Sequence, residues 1–295
     1  MKYVLHVGLP KTASTSLQEN VFPHLPDIAL SLRTEEGWAK TLAAVRYVGA
    51  QARALPQGED AYLRKIREKF RSLEVGKVGA QTVLISDELI IGGHPDGVGT
   101  IIRRLQAVCQ NARVVIILRR PLDFLRSYYR QEFTNYIAQL GVGQTAILPK
   151  VKTFTSFVRG CLDADPNGHV GFLRYDEIVS TLYECYGRSN VLVMAYEKLK
   201  EDERLFLKTL LSFIGTEFGS RLRLGNENVS ADKFTGMMAS AKAAGLTPEQ
   251  LENLETAYNA LELESDVAYR LERFVQTHIR GRYWDEFPYS PLSSL

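Results

Sequence analysis

Tyr3-Val-Leu-His-Val-Gly-Leu-Pro-Lys-Thr-Ala-Ser-Thr-Ser-Leu17 is the stretch that decides the fold. An apolar run, Tyr3, Val4, Leu5 and Val7, breaks at Gly8; Lys11 follows, then the small and mostly hydroxylated residues 12–16, and Leu17 opens a helical pattern. Strand, loop and helix in that order form a phosphate cradle, where backbone N–H groups and a helix start supply partial positive charge and a lysine a full one. The nucleotide-triphosphatase pattern needs a second glycine and then a lysine five and six residues after the first. Here those positions hold Ala13 and Ser14, so that pattern fails.

Two further segments repeat the architecture. Arg113-Val-Val-Ile-Ile-Leu-Arg119 is a continuous β-branched run of the kind buried in a parallel sheet, and it ends on Arg119 and Arg120. Pro121 then stands at a first helical position, with Leu122, Leu125, Tyr129, Phe133 and Tyr136 at helical spacing. Asn190-Val-Leu-Val-Met-Ala-Tyr196-Glu-Lys-Leu199 reads as a third buried strand, followed by an amphipathic helix over 200–214. In open α/β sheets ligands bind beyond the carboxyl ends of the strands, which is where Lys11, Arg119 and Tyr196 fall.

Pro10-Lys11-Thr12-Ala13-Ser14-Thr15 resembles the 5′-phosphosulfate loop of the sulfotransferases, with Ala13 where that family commonly has glycine. An alanine suits a helical φ and not a left-handed one, so a helical backbone is expected at Ala13. Arg119, followed eight residues later by Ser127 and the pair Tyr128-Tyr129, resembles the family's 3′-phosphate motif. Tyr196-Glu197-Lys198-Leu199 with Phe213-Ile-Gly215 is similar to its adenine-side segment, Tyr196 lying near the base and Glu197 being structural. The order and spacing of these segments cover roughly the first 215 residues.

The resemblance implies a P-loop-like α/β fold, a central parallel sheet flanked by helices with helical C-terminal additions. It implies transfer of a sulfuryl group from 3′-phosphoadenosine 5′-phosphosulfate (PAPS), leaving 3′-phosphoadenosine 5′-phosphate (PAP). The acceptor is a hydroxyl or amine on a carbohydrate, lipid or small metabolite, attacked in line and without a metal. Lys11 then binds and catalyses, Thr12, Ala13, Ser14, Thr15 and Ser16 hold the 5′ end, Arg119 and Ser127 the 3′-phosphate. A nucleotide kinase or triphosphatase, or a catalytically silent nucleotide-binding protein, are the rival readings. For the base, Glu88 just past the short strand 81–86 is the first choice, with Asp87 and His94 as alternatives. His6, inside the first strand, reads as a hydrogen-bonded core residue.

Bulk properties agree with an enzyme of this kind. Thirty-six basic against 34 acidic residues give a formal +2, so no global field recruits nucleic acid, and anion binding falls to local cationic sites. The cysteines, Cys109, Cys161 and Cys185, are odd in number and lack metal-ligand spacing, which favours buried reduced thiols. With Met1 so close to a core strand and only strand-sized apolar runs, neither signal peptide nor membrane span is expected, and the location implied is cytoplasmic. One domain over 1–295 is expected. Residues 139–171, with Phe154, Phe157 and nearby Phe172, read as a flap over the acceptor. The polar stretch 219–236, containing Asn228-Val-Ser230 and Lys233, reads as a loop over the nucleotide. Helices are expected over 60–73, 154–162, 172–186 and through a C-terminal region, 237–280, in which Thr247 caps a helix beginning at Pro248.

Overall fold

A computed structural model describes residues 2–32, 37–54, 58–73, 82–91, 97–138, 152–164, 169–217, 219, 222–225 and 230–280. Five strands form one parallel sheet in the order β2-β3-β1-β4-β5, with β1 at Lys2–His6, β2 at Ile28–Leu32, β3 at Thr82–Ser86, β4 at Ala112–Leu118 and β5 at Val191–Ala195. From β1 the chain runs to the edge at β2 and returns to β3 beside β1, then crosses to the other side for β4 and β5. That reversal opens a crevice at the carboxyl end of β1, the usual ligand position of such sheets. His6 is in register with Ser86, and Leu118 with Ala195, so the loops that follow these strands emerge along one edge of the sheet.

Side chains alternate between two cores. Leu5, Val83, Val114 and Ile116 face one, and Val4, Leu84, Val115, Ile117, Leu192 and Met194 face the other. The second core is closed by Leu17 of helix α1 (Ser14–Asn20) and by Phe206, Leu207, Leu210, Leu211 and Ile214. Those five belong to α10 (Glu203–Ile214), and the expected single helix over 200–214 is two: α9 (Tyr196–Glu201) ends at Asp202, whose carboxylate accepts from Leu205 N at 2.9 Å and caps α10. Gly215 ends α10 at φ 94, a left-handed conformation that glycine adopts without a Cβ penalty.

The helix announced by Pro121 is α6 (Pro121–Ala138), and its aromatic stripe meets α7 (Phe154–Asp163), where Tyr129 packs on Phe133, Phe154 and Phe157. The aromatic residues in and beside the expected flap thus pack on α6. Phe154, Phe157 and Phe172 are buried, and Arg159 ties α7 to Glu264 and Asp266 on α13 (Ser265–His278). Residues 139–151 and 165–168 of the expected flap lie outside the described residues. The C-terminal helices begin earlier than expected, with α11 at Ser230–Ala243. Next comes α12 (Pro248–Asn259), capped by Thr247 as the sequence predicts, and Gln250 completes a capping box with it. Among the described residues no helix is long and apolar enough to cross a membrane.

Candidate active site

The loop after β1 is bent by two left-handed residues, Lys11 and Ala13, both at φ 66. The expectation of a helical Ala13 is therefore wrong. Three bonds fix the turn: Thr12 Oγ1 donates to Leu9 O at 2.6 Å, Arg119 Nη1 to Lys11 O at 2.8 Å, and Leu17 N to Ala13 O at 3.0 Å. Surrounding contacts of this kind hold a residue in a region it would avoid. The helix also starts three residues earlier than its apolar pattern suggests. Its first internal bond is made by Leu17, so the N–H groups of Ser14, Thr15 and Ser16 remain outside the helical ladder. Thr12 is wholly buried with its hydroxyl spent on Leu9, which leaves the loop its backbone N–H rather than its side chain.

Around this loop lie two adjoining cavities. One, of about 180 Å³, is lined by Lys11, Ala13, Ser14, Thr15, Ser16, Glu88, Arg119, Ser127, Gln131, Tyr196 and Lys233. The other, of about 170 Å³, shares Lys11, Arg119, Ser127, Gln131 and Lys233 with it and continues along α6 past Arg126 and Arg130. Of the residues assigned a site role from the sequence, all but Thr12 thus line the first cavity; of the two alternatives for the base, Asp87 does not line it. A wider depression of about 810 Å³ on α10, lined by Arg204, Lys208, Ser212 and Thr216 among others, shares none of them.

Each side chain is delivered by its own element. Arg119 follows β4, and its guanidinium stacks 4.6 Å from the centre of the Tyr196 ring, at the end of β5. The Arg119 carbonyl accepts from Tyr175 Oη at 2.5 Å, so the residue is held from both sides. Glu197 is structural, as expected: it accepts from Arg120 N at 2.9 Å and anchors the start of α6. Nearly two turns into α6 stands Ser127, and Gln131 sits four residues on, on the same face. Glu88 follows β3. Its neighbour Asp87 is turned inward, 2% exposed, and accepts from Leu89 N at 3.0 Å, which removes it from the cavity wall. His94 lies outside the described residues.

The electrostatics suit a bound polyanion. Lys11 is pushed down to about 8, first by burial and then by Lys233, with Glu88 pulling upward and Arg119 downward. Lysine and arginine side chains, hydroxyls and free N–H groups dominate the walls, and among the described residues Glu88 is the one carboxylate in the first cavity. This donor-rich set fits a nucleotide with phosphate at both ends. Sequence reasoning gave Gln131 no site role and placed Lys233 only within the stretch 219–236 read as a loop over the nucleotide. Gln131 was findable from its spacing to Ser127, whereas Lys233, on α11, comes near only through the packing of α11 on α6. Asn228 lies outside the described residues, as does the Ser230 side chain. The nearby segment 222–225 is fastened by Asn20 Nδ2 to Leu224 O at 2.7 Å and by Leu224 N to Glu203 Oε1 at 3.0 Å.

Comparison with known proteins brings in the family. Similar solved structures include a sulfotransferase from Alicyclobacillus acidocaldarius, at 18% identity and TM-score 0.47, covering 86% of this chain and 95% of that one. Mouse sulfotransferase SULT7A1 complexed with PAP is similar at 15% identity and TM-score 0.46, over 95% of this chain and 85% of that one. The sulfotransferase domain from the curacin biosynthetic pathway is similar at 15% and 0.43, over 94% and 96%. No curated protein matches the chain. The family model described as the sulfotransferase domain matches residues 103–258, more than half of the sequence and including both Arg119 and Ser127. By that match the chain belongs to the PAPS-dependent sulfotransferase family.

Proposed function

We propose that this enzyme moves the sulfuryl group of PAPS to a hydroxyl or amine of a glycan, lipid or small-metabolite acceptor by in-line displacement. The observation that carries the reading is the meeting of Lys11, Arg119, Ser127 and Glu88, from four separate chain segments, on the wall of one cavity. The acceptor oxygen or nitrogen attacks sulfur as the bond from sulfur to the bridging oxygen breaks, and PAP leaves. Glu88 takes the acceptor's proton. Lys11, the nearest cation to the loop, follows the charge growing on the bridging oxygen, an interaction stronger in the transition state than before it. Arg119 and Ser127 hold the 3′-phosphate, Tyr196 lies against the adenine, and the N–H groups of residues 12–16 hold the 5′ end. Positioning and charge stabilisation supply the catalysis, as in phosphoryl transfer.

The test is sulfate transfer from labelled PAPS to a broad panel of hydroxylated and amine acceptors, run beside a thermal-shift comparison of PAP with ATP. Stabilisation by PAP and not by ATP, together with a labelled product, supports the reading. Glu88→Gln should keep PAP affinity while lowering kcat by ~10² to 10⁴. Full activity in that variant would take the base role from Glu88.

A further inference from the structure

β1 ends on a buried histidine that the chemistry above does not use. His6 is 1% exposed, and burial pulls its imidazole down to about 4, so it is neutral at physiological pH. Its Nδ1 lies 2.7 Å from Ser86 Oγ, and Ser86 Oγ also receives a bond from Gln18 Nε2 at 2.8 Å. An amide nitrogen only donates, so Gln18 fills a lone pair on Ser86, and the single Ser86 proton has His6 Nδ1 beside it as acceptor. With Nδ1 accepting, the ring proton sits on Nε2. The opposite tautomer would leave the buried Ser86 proton unmatched and turn a bare lone pair toward an anion site.

Among the described residues Nε2 of His6 has no hydrogen-bond partner, and neither has Ser14 Oγ, in a residue only 2% exposed. These two orphaned atoms converge. A Cβ on Gly8 would stand 2.8 Å from His6 Nε2 and 2.9 Å from Ser14 Oγ, so the missing methyl of this glycine is the space between them. Buried polar atoms without partners are rare in native folds and call for an explanation. Ser14 supplies one, since it lines the cavity with Lys11 and Glu88.

We infer that His6 is a positioning residue: its Nε2–H donates to Ser14 Oγ when the loop holds its ligand, so that the one Ser14 proton is aimed at the 5′-phosphosulfate. The inference rests on the sulfotransferase reading and deepens it. Gln18, Ser86, His6 and Ser14 then form a row of donors running in one direction, each bond polarising the next, and ending on the anion. Gly8 keeps the gap open through which the last bond forms.

The experiment is calorimetric titration with PAP and with adenosine 3′-phosphate, which lacks the 5′ group. His6→Asn keeps a polar atom toward Ser86 and loses Nε2–H. It should weaken PAP about tenfold, the worth of one hydrogen bond to a charged group, and leave adenosine 3′-phosphate within about twofold. His6→Gln, whose amide reaches toward the Nε2 position, should recover most of the loss. Ser14→Ala should lose as much as His6→Asn, and the double variant no more than Ser14→Ala alone. Should His6→Asn fail to fold, Ser86→Ala, which removes the group fixing the tautomer, should still weaken PAP selectively. Equal losses for both nucleotides, or losses that multiply in the double variant, would make His6 a packing residue and overturn the relay. A wild-type enzyme that binds no PAP would overturn the sulfotransferase reading itself.

Discussion

Replacing Ala13 by glycine should make the protein more stable. Ala13 sits at φ 66 and ψ 17, where the Cβ of an L-residue crowds the neighbouring carbonyl at a cost of roughly 1–2 kcal/mol. Glycine removes that strain but returns ~0.4–1 kcal/mol through the greater freedom of the unfolded chain. The net gain is about 0.5–1 kcal/mol, or a rise in Tm of about 1–3 °C for a chain of this size. Ala239→Gly is the matched control, because Ala239 is exposed in the interior of α11, where the same change should cost about 1 kcal/mol. Denaturant melts of the two variants should therefore move in opposite directions, with PAP affinity of Ala13→Gly staying within about threefold of wild type. A loss of stability in Ala13→Gly comparable with that of the control would mean that Ala13 is helical, as its side chain alone suggests, and that the strained turn is wrong.

Other tests concern the cations. Burial pushes Lys11 down to about 8 in the free protein, and the protonated form is the one that attracts an anion, so PAP affinity should be level between about pH 7 and 8, where the phosphates are fully ionised, and fall as pH rises further. In Lys11→Arg the charge persists to far higher pH and this limb should vanish, while Lys11→Ala should lower kcat on the order of a hundredfold or more; a raised KM with unchanged kcat would refute the assigned role. Arg119→Ala should abolish the preference for a 3′-phosphate, measured as the ratio of affinities for PAP and adenosine 5′-phosphate; a variant that keeps the ratio would detach Arg119 from that phosphate.

The parts of the fold that were legible in the sequence are those where one force dominates. β1, β3, β4 and β5 are buried on both faces, and a buried parallel strand writes itself as an unbroken apolar run. β2 is different: Ile28, Ala29, Leu30 and Leu32 are only half-buried at the edge of the sheet, and the short string follows Asp27 in a left-handed turn, so nothing in it stands out. Asp202 was read as one more polar position on an amphipathic helix because capping and solvation use the same residue types. The site was legible where it hangs on strand ends, as with Lys11, Glu88, Arg119 and Tyr196. It was illegible where the backbone defies its side chains, at Ala13, or where the packing of one helix on another sets a position, as with Lys233, read in a loop but carried by α11 against α6. The preference for Glu88 over Asp87 rested on position after β3 alone, and in the structure Glu88 lines the cavity while Asp87 is buried.

On the proposed reading of the site, Arg119 would also couple the two ends of the nucleotide. One of its nitrogens holds the carbonyl of Lys11, its plane rests on Tyr196, and its own carbonyl is held by Tyr175. A phosphate drawn to this guanidinium therefore pulls on the same group that keeps the 5′ loop in its strained shape. If both phosphates bind as proposed, that shared bond would couple the two half-sites, and by linkage whatever one end gains from the other it must give back equally. A nucleotide lacking either phosphate would meet not a site with one empty corner but a lever with nothing to pull against.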